Sequence, residues 1–238
     1  MSLTISGESG GGDFPKLEPG IYHGTCYSII DLGESDQEYK GVVSKKKRVH
    51  LGFEITEAID PSTNTVMMED GRPFGAFKTY TASLFEAATL KKDIESWRGK
   101  SLTQEEIDSF DMDNLIGCTA KIEIGLTKKS DFGEGGNPKI MALREPKDGI
   151  KKVETHNDIV LFDIDVYCAE FTGNSSEESK AMCDVFESLN DWHKRDIEAS
   201  YQWLAAQQKF EDTPVEKLVE ETVEETENTD DFDDKIPF

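Results

Sequence analysis

Two kinds of side chain recur close together along this sequence and could do chemistry: clustered cations and aromatic rings. Lysine and arginine neutralise phosphates, and an exposed ring stacks on an unpaired base for about 1–3 kcal/mol. The candidate cations are Lys45, Lys46, Lys47, Arg48, Arg72, Lys78, Lys128, Lys129, Lys139 and Arg144. The candidate stacking rings are Tyr22, Tyr39, Phe77, Tyr80 and Phe132. Together they predict a groove for single-stranded nucleic acid.

Each of these residues also has a structural interpretation. The run from Lys45 to Arg48 could be an ordinary solvated strand end. Phe77 and Tyr80 lie on opposite faces of one predicted strand, so at most one ring is expected to face a groove. Tyr80 is favoured because it shares a face with Lys78. Phe132 lies in the glycine-rich stretch DFGEGG, where either stacking or disorder would explain it.

Little in the sequence is spaced for catalysis. The four histidines show no HExxH or Cys-His spacing, and there is no GxSxG motif or complete phosphate-binding loop. The four cysteines form no CxxC pair and are expected to be reduced thiols. Asp163 and Asp165 could be metal ligands, but a solvated strand face is the favoured interpretation. We therefore expect no enzymatic activity, no metal and no cofactor.

The charge is unevenly distributed. The chain has 238 residues, with 49 acidic side chains against 26 lysines and arginines, a formal net charge of −23. Residues 211–238 hold 12 acids and 2 lysines, whereas residues 1–155 hold 26 acids and 20 bases. An acidic protein normally repels phosphates. The first two thirds of this chain are nevertheless balanced enough to present a basic face.

The hydrophobic pattern predicts the elements that must position these side chains. Alternating residues predict strands at 20–32, 48–58, 66–69, 74–81, 118–126 and 139–146. A helical period follows Ser83, a predicted cap, and ends at Gly99. Trp97 lies near the apolar side of that helix and is expected to pack in the core. Thr103 and Glu106 repeat the capping signature before a second, short helix.

This order, about five strands with a helix between the third and the fourth, is that of an oligonucleotide-binding (OB) barrel. We predict a mainly β fold with helices, of the α+β class. It is a five-stranded OB-fold barrel with a C-terminal helical extension and a disordered acidic tail. In that fold the connections between strands 1 and 2 and between strands 4 and 5 flank the binding face. Here these connections are residues 33–47 and 127–138.

The composition predicts four regions. They are a flexible leader at 1–18, an OB-fold domain at 19–155, a strand and helix extension packed on the barrel at 156–209, and a disordered acidic tail at 210–238. Within the extension, residues 158–167 are strand-like and residues 180–208 have a helical pattern. No apolar run approaches the ~20 residues that span a bilayer. The N-terminus does not have the pattern of a signal peptide.

Several stretches resemble the single-stranded DNA-binding proteins of tailed bacteriophages. They are PGIYHGTCYSIIDLG, MMEDGRPFGAFKTYTASL, LKKDIESWRGKSLTQEEIDSFDMDNLIG and VFESLNDWHKRDIEAS. The similarity runs from about Pro19 to Ser200. It implies an OB-fold protein that coats and protects single strands during DNA replication, recombination and repair in the cytoplasm of a host cell. The DFGEGGNP loop and the TGNSSEESK insertion are particular to this chain.

The final residues, DDFDDKIPF, resemble the end of bacterial single-stranded DNA-binding proteins. Lys235 departs from that pattern, which has an aspartate there. The expected partner-docking residues are Asp233, Asp234, Ile236, Pro237 and Phe238. A tethered polyanion can compete weakly for a cationic groove. An apolar tip with its carboxylate fits a pocket on another protein. The partners implied are replication or recombination proteins of phage or host, and homo-oligomers are possible.

Two rival functions stay open at this point. An acidic DNA mimic would inhibit a host DNA-binding protein by imitating phosphates, which the net charge of −23 favours. A metal-dependent nuclease or accessory factor is the third candidate. A merely solubilising tail would explain the aspartates but not the apolar Ile-Pro-Phe.

Overall fold

The computed structural model describes residues 17–58, 71–127 and 136–211. Its strands are β1 (Gly20–Tyr39), β2 (Val42–Ala58), β3 (Gly75–Thr81), β4 (Thr119–Leu126), β5 (Pro138–Arg144) and β6 (Val160–Phe162). Its helices are α1 (Thr89–Arg98), α2 (Gln104–Asp108), α3 (Ile164–Ala169), α4 (Glu177–Ser188), α5 (Asp191–Glu198) and α6 (Tyr201–Glu211), with a 3-10 turn at Met112–Leu115. Within these ranges every helix is too short or too polar to span a bilayer.

The chain divides into two compact units. Among the described residues, unit 1 comprises residues 17–30, 48–58, 71–127 and 136–161, and unit 2 comprises residues 31–47 and 162–211. The sequence predicts a boundary near residue 155, but residues 31–47 also group with the C-terminal unit. The reason is the length of β1 and β2, because each strand contributes residues to both units.

The strands form an antiparallel sheet in the order β3-β2-β1-β4-β5, with β6 paired to β1. The mixed α+β class is therefore confirmed. The five-stranded barrel is not confirmed, because the described residues form six strands in an open sheet. The two end strands, β3 and β5, contact each other without being neighbours in the hydrogen-bonded order.

The predicted strand over 158–167 is only partly correct. It ends at Phe162, and helix α3 begins two residues later. The carboxylate of Asp163 accepts hydrogen bonds from the N–H groups of Asp165 and Val166 at 2.8 and 3.1 Å. A side chain that satisfies the first N–H groups of a helix favours a helix start over a longer strand.

The connection between β1 and β2 is a hairpin, not the predicted loop over 33–47. β1 runs on to Tyr39 and β2 begins at Val42. Lys40 and Gly41 form the whole turn, with φ angles of 53° and 78°. Two consecutive positive φ values are typical of the tight turn that matches the twist of a hairpin.

The core of unit 1 follows the predicted alternation. Leu51, Phe53 and Ile55 on β2 are fully buried. Trp97 is 1% exposed, packs edge-on against Phe53 at 5.4 Å, and donates its indole N–H to the carbonyl of Thr119 at 2.7 Å. The prediction that Trp97 packs in the core is confirmed.

Helix α1 starts later than predicted. Its first residue is Thr89, and the hydroxyl of Ser83 instead accepts a hydrogen bond from the N–H two residues later at 3.2 Å. Such a local bond favours a turn over a helix cap. The other signals are confirmed, because Gly99 ends α1 with a φ of 69° and a capping box begins α2 at Thr103.

Unit 2 has its own aromatic core. The ring of Tyr167 stacks on Phe186 at 4.7 Å and on Trp203 at 5.2 Å. The hairpin joins this unit through Gly33, whose φ is +71°. A Cβ at Gly33 would lie 2.7 Å from the Cδ1 atom of Ile164, so only glycine allows this approach.

The helical pattern over 180–208 is confirmed, but as three helices. The Asn190 side chain accepts a hydrogen bond from the N–H of His193 at 3.0 Å and begins α5. The Ser200 hydroxyl accepts one from the N–H of Trp203 at 3.2 Å and begins the next helix. Such local bonds interrupt a helical pattern without changing its period.

Candidate nucleic-acid interface

The two faces of β2 and β3 differ in what they contact. Gly52 stands opposite Phe77 and His50 opposite Thr79, and these residues point away from the core. We call this side of the unit 1 sheet the outer face. It carries Tyr27, Arg48, His50, Gly52, Phe77, Lys121, Lys139 and Arg144.

Phe77 is the exposed aromatic ring of this face. It is 44% exposed, although its ring lies across the backbone of two glycines. A Cβ at Gly52 would lie 3.0 Å from the ring, and one at Gly75 would lie 2.7 Å from it. His50 stacks on the ring at 5.5 Å and Tyr27 meets it edge-on at 6.4 Å. The ring is therefore supported by the protein and still accessible, which suits it to stacking.

The residues beside Phe77 are held in place. Nδ1 of His50 is 2.8 Å from the Thr79 hydroxyl, a hydrogen bond across β2 and β3. Burial, with the nearby Glu54 carboxylate, raises the pKa of Tyr27 to about 12. Like an ordinary tyrosine, Tyr27 is protonated near neutral pH, and its hydroxyl can donate a hydrogen bond.

Glu54 closes one end of this surface. It stands opposite Gly75, yet it is only 2% exposed. Its carboxylate accepts hydrogen bonds from the backbone N–H groups of His156 and Asn157 at 3.0 and 2.9 Å, and from the Asn157 side chain at 3.0 Å. The chain near residue 156 therefore covers the face at this point.

The preference for Tyr80 over Phe77 is wrong. Tyr80 and Lys78 do share a face, as predicted, but that face is turned toward α1. The carboxylate of Asp93 accepts a hydrogen bond from Nζ of Lys78 at 2.6 Å and one from the Tyr80 hydroxyl at 2.8 Å. Tyr80 is 3% exposed, and burial raises its pKa. Alternation identifies two faces but not which one a helix covers.

Tyr22 is also corrected. It is fully buried in the unit 1 core, and its hydroxyl donates to the carbonyl of Glu18 at 2.7 Å. Its ring presents no face to solvent. The polar atom that makes tyrosine attractive as a surface residue is satisfied here by a local backbone acceptor.

Three of the remaining predicted cations that the structure describes in unit 1 are exposed. Lys139 is exposed opposite Gly125, and Arg144 is exposed opposite Lys121. Arg144 donates to the Glu123 carboxylate at 3.1 Å. Arg48, half-buried, stands opposite Thr81 on the outer face, and Arg72 is exposed before β3.

Among the described residues, four of the predicted DNA-binding residues belong to unit 2. Tyr39 is 72% exposed next to the hairpin turn, and Lys46 is exposed on β2. Nζ of Lys45 lies 4.0 Å from the centre of the Tyr201 ring. Lys47 is held by carboxylates. The predicted set is thus divided between the two units.

The carboxylates around Lys47 form a compact acidic cluster. Oxygens of Asp31, Asp163 and Asp165 lie within 4.8 Å of one another. Nζ of Lys47 is 2.8 Å from Asp31 and 3.7 Å from Asp165. Asp163 also caps α3. The lysine and the cap account for this cluster as an ion pair network within unit 2.

Several predicted residues lie outside the described residues. They are Lys128, Lys129, Phe132, Asp233, Asp234, Ile236, Pro237 and Phe238. The same holds for the short strand predicted at 66–69 and for most of the leader at 1–18.

Sequence reasoning missed Tyr27, His50 and Lys121 as members of the outer face. One sequence signal could have identified His50 and the neighbouring ring-over-glycine contact as part of this face. A glycine inside a strand often marks a close approach by another group, and Gly52 interrupts an otherwise alternating β2. The cross-strand register that places Phe77 over it is not encoded in alternation.

No protein-family model, no curated protein and no solved structure matches this chain.

Proposed function

We propose that this protein binds single-stranded DNA, without sequence preference, on the outer face of unit 1. The observation that carries the proposal is the ring of Phe77, backed by Gly52 and Gly75 and 44% exposed. Stacking on such a ring tolerates any sequence, because every base has a π face. The neighbouring Tyr27 hydroxyl adds a hydrogen-bond donor.

Cations on the outer face support the proposal. Arg48 stands on the same strand as Gly52, and Lys121, Lys139 and Arg144 lie on the outer face of β4 and β5. Association with phosphate depends on local potential more than on net charge. An overall charge of −23 is therefore compatible with a basic binding face.

We also propose that unit 1 is an OB-type barrel. Three features support this: the strand order β3-β2-β1-β4-β5, the position of α1 between β3 and β4, and the contact between β3 and β5. An OB barrel commonly binds oligonucleotides across its strands.

The biological role that fits is that of a phage protein. It coats and protects single strands during DNA replication, recombination and repair in the cytoplasm of the host. It performs no chemistry, and its acidic tail recruits replication or recombination proteins. This part of the proposal rests on the sequence resemblance and on the Ile-Pro-Phe tip after the acidic run.

A fluorescence-quenching titration with oligo-dT tests the function. The wild type is expected to bind, with affinity that falls as salt rises, by a slope of about −0.7 per phosphate neutralised. Phe77→Ala is expected to weaken binding about tenfold, the loss of about 1.4 kcal/mol from one stacked base. Phe85→Ala is the matched control, because Phe85 is 74% exposed and lies outside the sheet.

The same titration separates the rivals. An acidic DNA mimic would not bind oligo-dT at any salt concentration. A nuclease would shorten the oligonucleotide when Mg²⁺ is added. Equal affinity for the wild type and Phe77→Ala would remove this ring from the interface.

A further inference from the structure

A second apolar side chain is displayed on the outer face, at β5. The register of β4 and β5 shifts between Glu123 and Ile124, so that Ala142 stands opposite the first and Ile140 opposite the second. Met141 is the extra residue of this bulge. Bulges commonly turn a side chain out of the regular alternation. Met141 is 49% exposed, whereas its neighbour Ile140 is buried.

Met141 lies over a glycine, as Phe77 does. A Cβ at Gly125 would lie 2.8 Å from Cγ and 3.1 Å from Sδ of Met141. The thioether thus rests on the backbone of β4 and leaves its other side open. Lys139, which is exposed, stands directly opposite Gly125. Each end strand of the sheet, β3 and β5, therefore carries an exposed apolar side chain that packs over a glycine.

These two side chains belong to strands that meet. β3, which carries Phe77, and β5, which carries Met141, contact each other. Each of these two strands has a cation beside it or on it. Arg48 of β2 stands opposite Thr81 of β3, and Lys139 is on β5. A flexible, polarizable thioether packs well against flat aromatic groups. An apolar contact flanked by lysine fits an unstacked base and its phosphate.

We propose that Met141, seated on Gly125, is a second base-contacting position for the strand that stacks on Phe77. This inference rests on the proposed function. The occupant is single-stranded DNA, because the exposed Lys139 stands directly opposite Gly125. Occupation of the same place by an apolar protein segment is the alternative, and it predicts unchanged oligo-dT affinity in the Met141 and Gly125 variants.

The experiment measures the affinity of the full chain for oligo-dT of increasing length. Met141→Ala is expected to bind a long oligonucleotide about fivefold more weakly, a loss below that of a stacked ring. Met141→Leu is expected to bind like the wild type. Gly125→Ala is expected to weaken binding similarly, because its Cβ displaces the thioether. The double variant Met141→Ala with Gly125→Ala should lose no more than either alone.

The control is Leu204→Ala, since Leu204 is a 45% exposed apolar residue of α6 in unit 2. Wild-type affinity in both Met141→Ala and Gly125→Ala, with weakened binding by Phe77→Ala, would overturn the inference and leave the proposed function intact. No binding by the wild type would overturn the proposed function itself.

If Met141→Ala fails to fold, Gly125→Ala and Met141→Leu provide the test. A fivefold loss of affinity in Gly125→Ala with full affinity in Met141→Leu supports the inference, and equal affinity in the two variants opposes it.

Discussion

The ring of Phe77 occupies the space that a side chain at Gly52 would fill. The two residues are direct cross-strand partners, and a Cβ on Gly52 would lie 3.0 Å from the ring. The same Cβ would lie 2.9 Å from Cβ of Ser28. This glycine therefore has two neighbours that restrict it, and its absence of a side chain keeps the ring flat on the sheet.

Gly52→Ala is expected to weaken both folding and DNA binding. Overpacking of this kind costs about 1–3 kcal/mol in the free energy of unfolding. Oligo-dT affinity should fall as it does in Phe77→Ala, because the new Cβ displaces the Phe77 ring from its position over residue 52. Urea denaturation and oligo-dT titration measure the two effects. Adding Phe77→Ala to Gly52→Ala should recover part of the lost stability. An absence of recovery would contradict the packing of the Phe77 ring over Gly52.

Lys78→Met is expected to lower stability without lowering DNA affinity. Lys78 and Asp93 are paired at 2.6 Å with side chains 20% and 14% exposed, so removing the ammonium leaves a largely buried carboxylate. The expected cost is about 1–3 kcal/mol. Lys139→Met is the matched control on the outer face: unchanged stability, weaker oligo-dT binding and a smaller salt slope. A tenfold loss of DNA affinity in Lys78→Met would contradict this expectation and indicate that Lys78 contributes to DNA binding.

Cys26 is expected to resist thiol reagents in the folded protein. Burial raises the pKa of its thiol to about 12, so the reactive thiolate is scarce at pH 8. Cys118 and Cys183 are only partly buried and should react with iodoacetamide first. Mass spectrometry of the labelled peptides gives the order. In guanidinium chloride all four cysteines should react at similar rates, and early labelling of Cys26 in the native protein would contradict its place in the core.

Unit 2 is expected to lose stability as the pH falls below about 6.5. Burial lowers the pKa of His193 to about 4, whereas an unfolded histidine has a pKa of about 6.5. Between these values the unfolded chain binds a proton that the folded chain does not, so stability is full above pH 6.5 and declines toward pH 4.

His193→Gln should flatten that dependence, and His23→Gln serves as the control. Urea denaturation followed by tryptophan fluorescence reports on it, because the Trp192 ring lies 3.8 Å from the imidazole. An identical pH profile in the wild type and His193→Gln would show that another group is responsible.

Local signals predicted local structure well. The alternation over Leu51, Phe53 and Ile55 predicted the inward face of β2, and Gly99 predicted the end of α1. The capping box at Thr103 is present as well. These features depend on side chains and backbone groups within a few residues of each other, so the sequence contains all the information they need.

Choices between two locally equivalent faces were not predictable. Phe77 and Tyr80 have the same kind of ring on opposite sides of β3, and only the position of Asp93 on α1 decides that Tyr80 is inside. The hairpin at Lys40 and Gly41 was missed because a lysine with positive φ is uncommon.

By itself, the sequence determined the strand and helix content, the concentration of acidic residues toward the C-terminus, and the supply of cations and rings. The tertiary structure decided which of those rings is available: Tyr22 is fully buried, whereas Phe77 remains accessible on its glycine seats. It also decided that residues 31–47 belong with the C-terminal unit. The physical reason is that exposure depends on the register of strands and on which sheet face a helix covers, neither of which a local pattern contains.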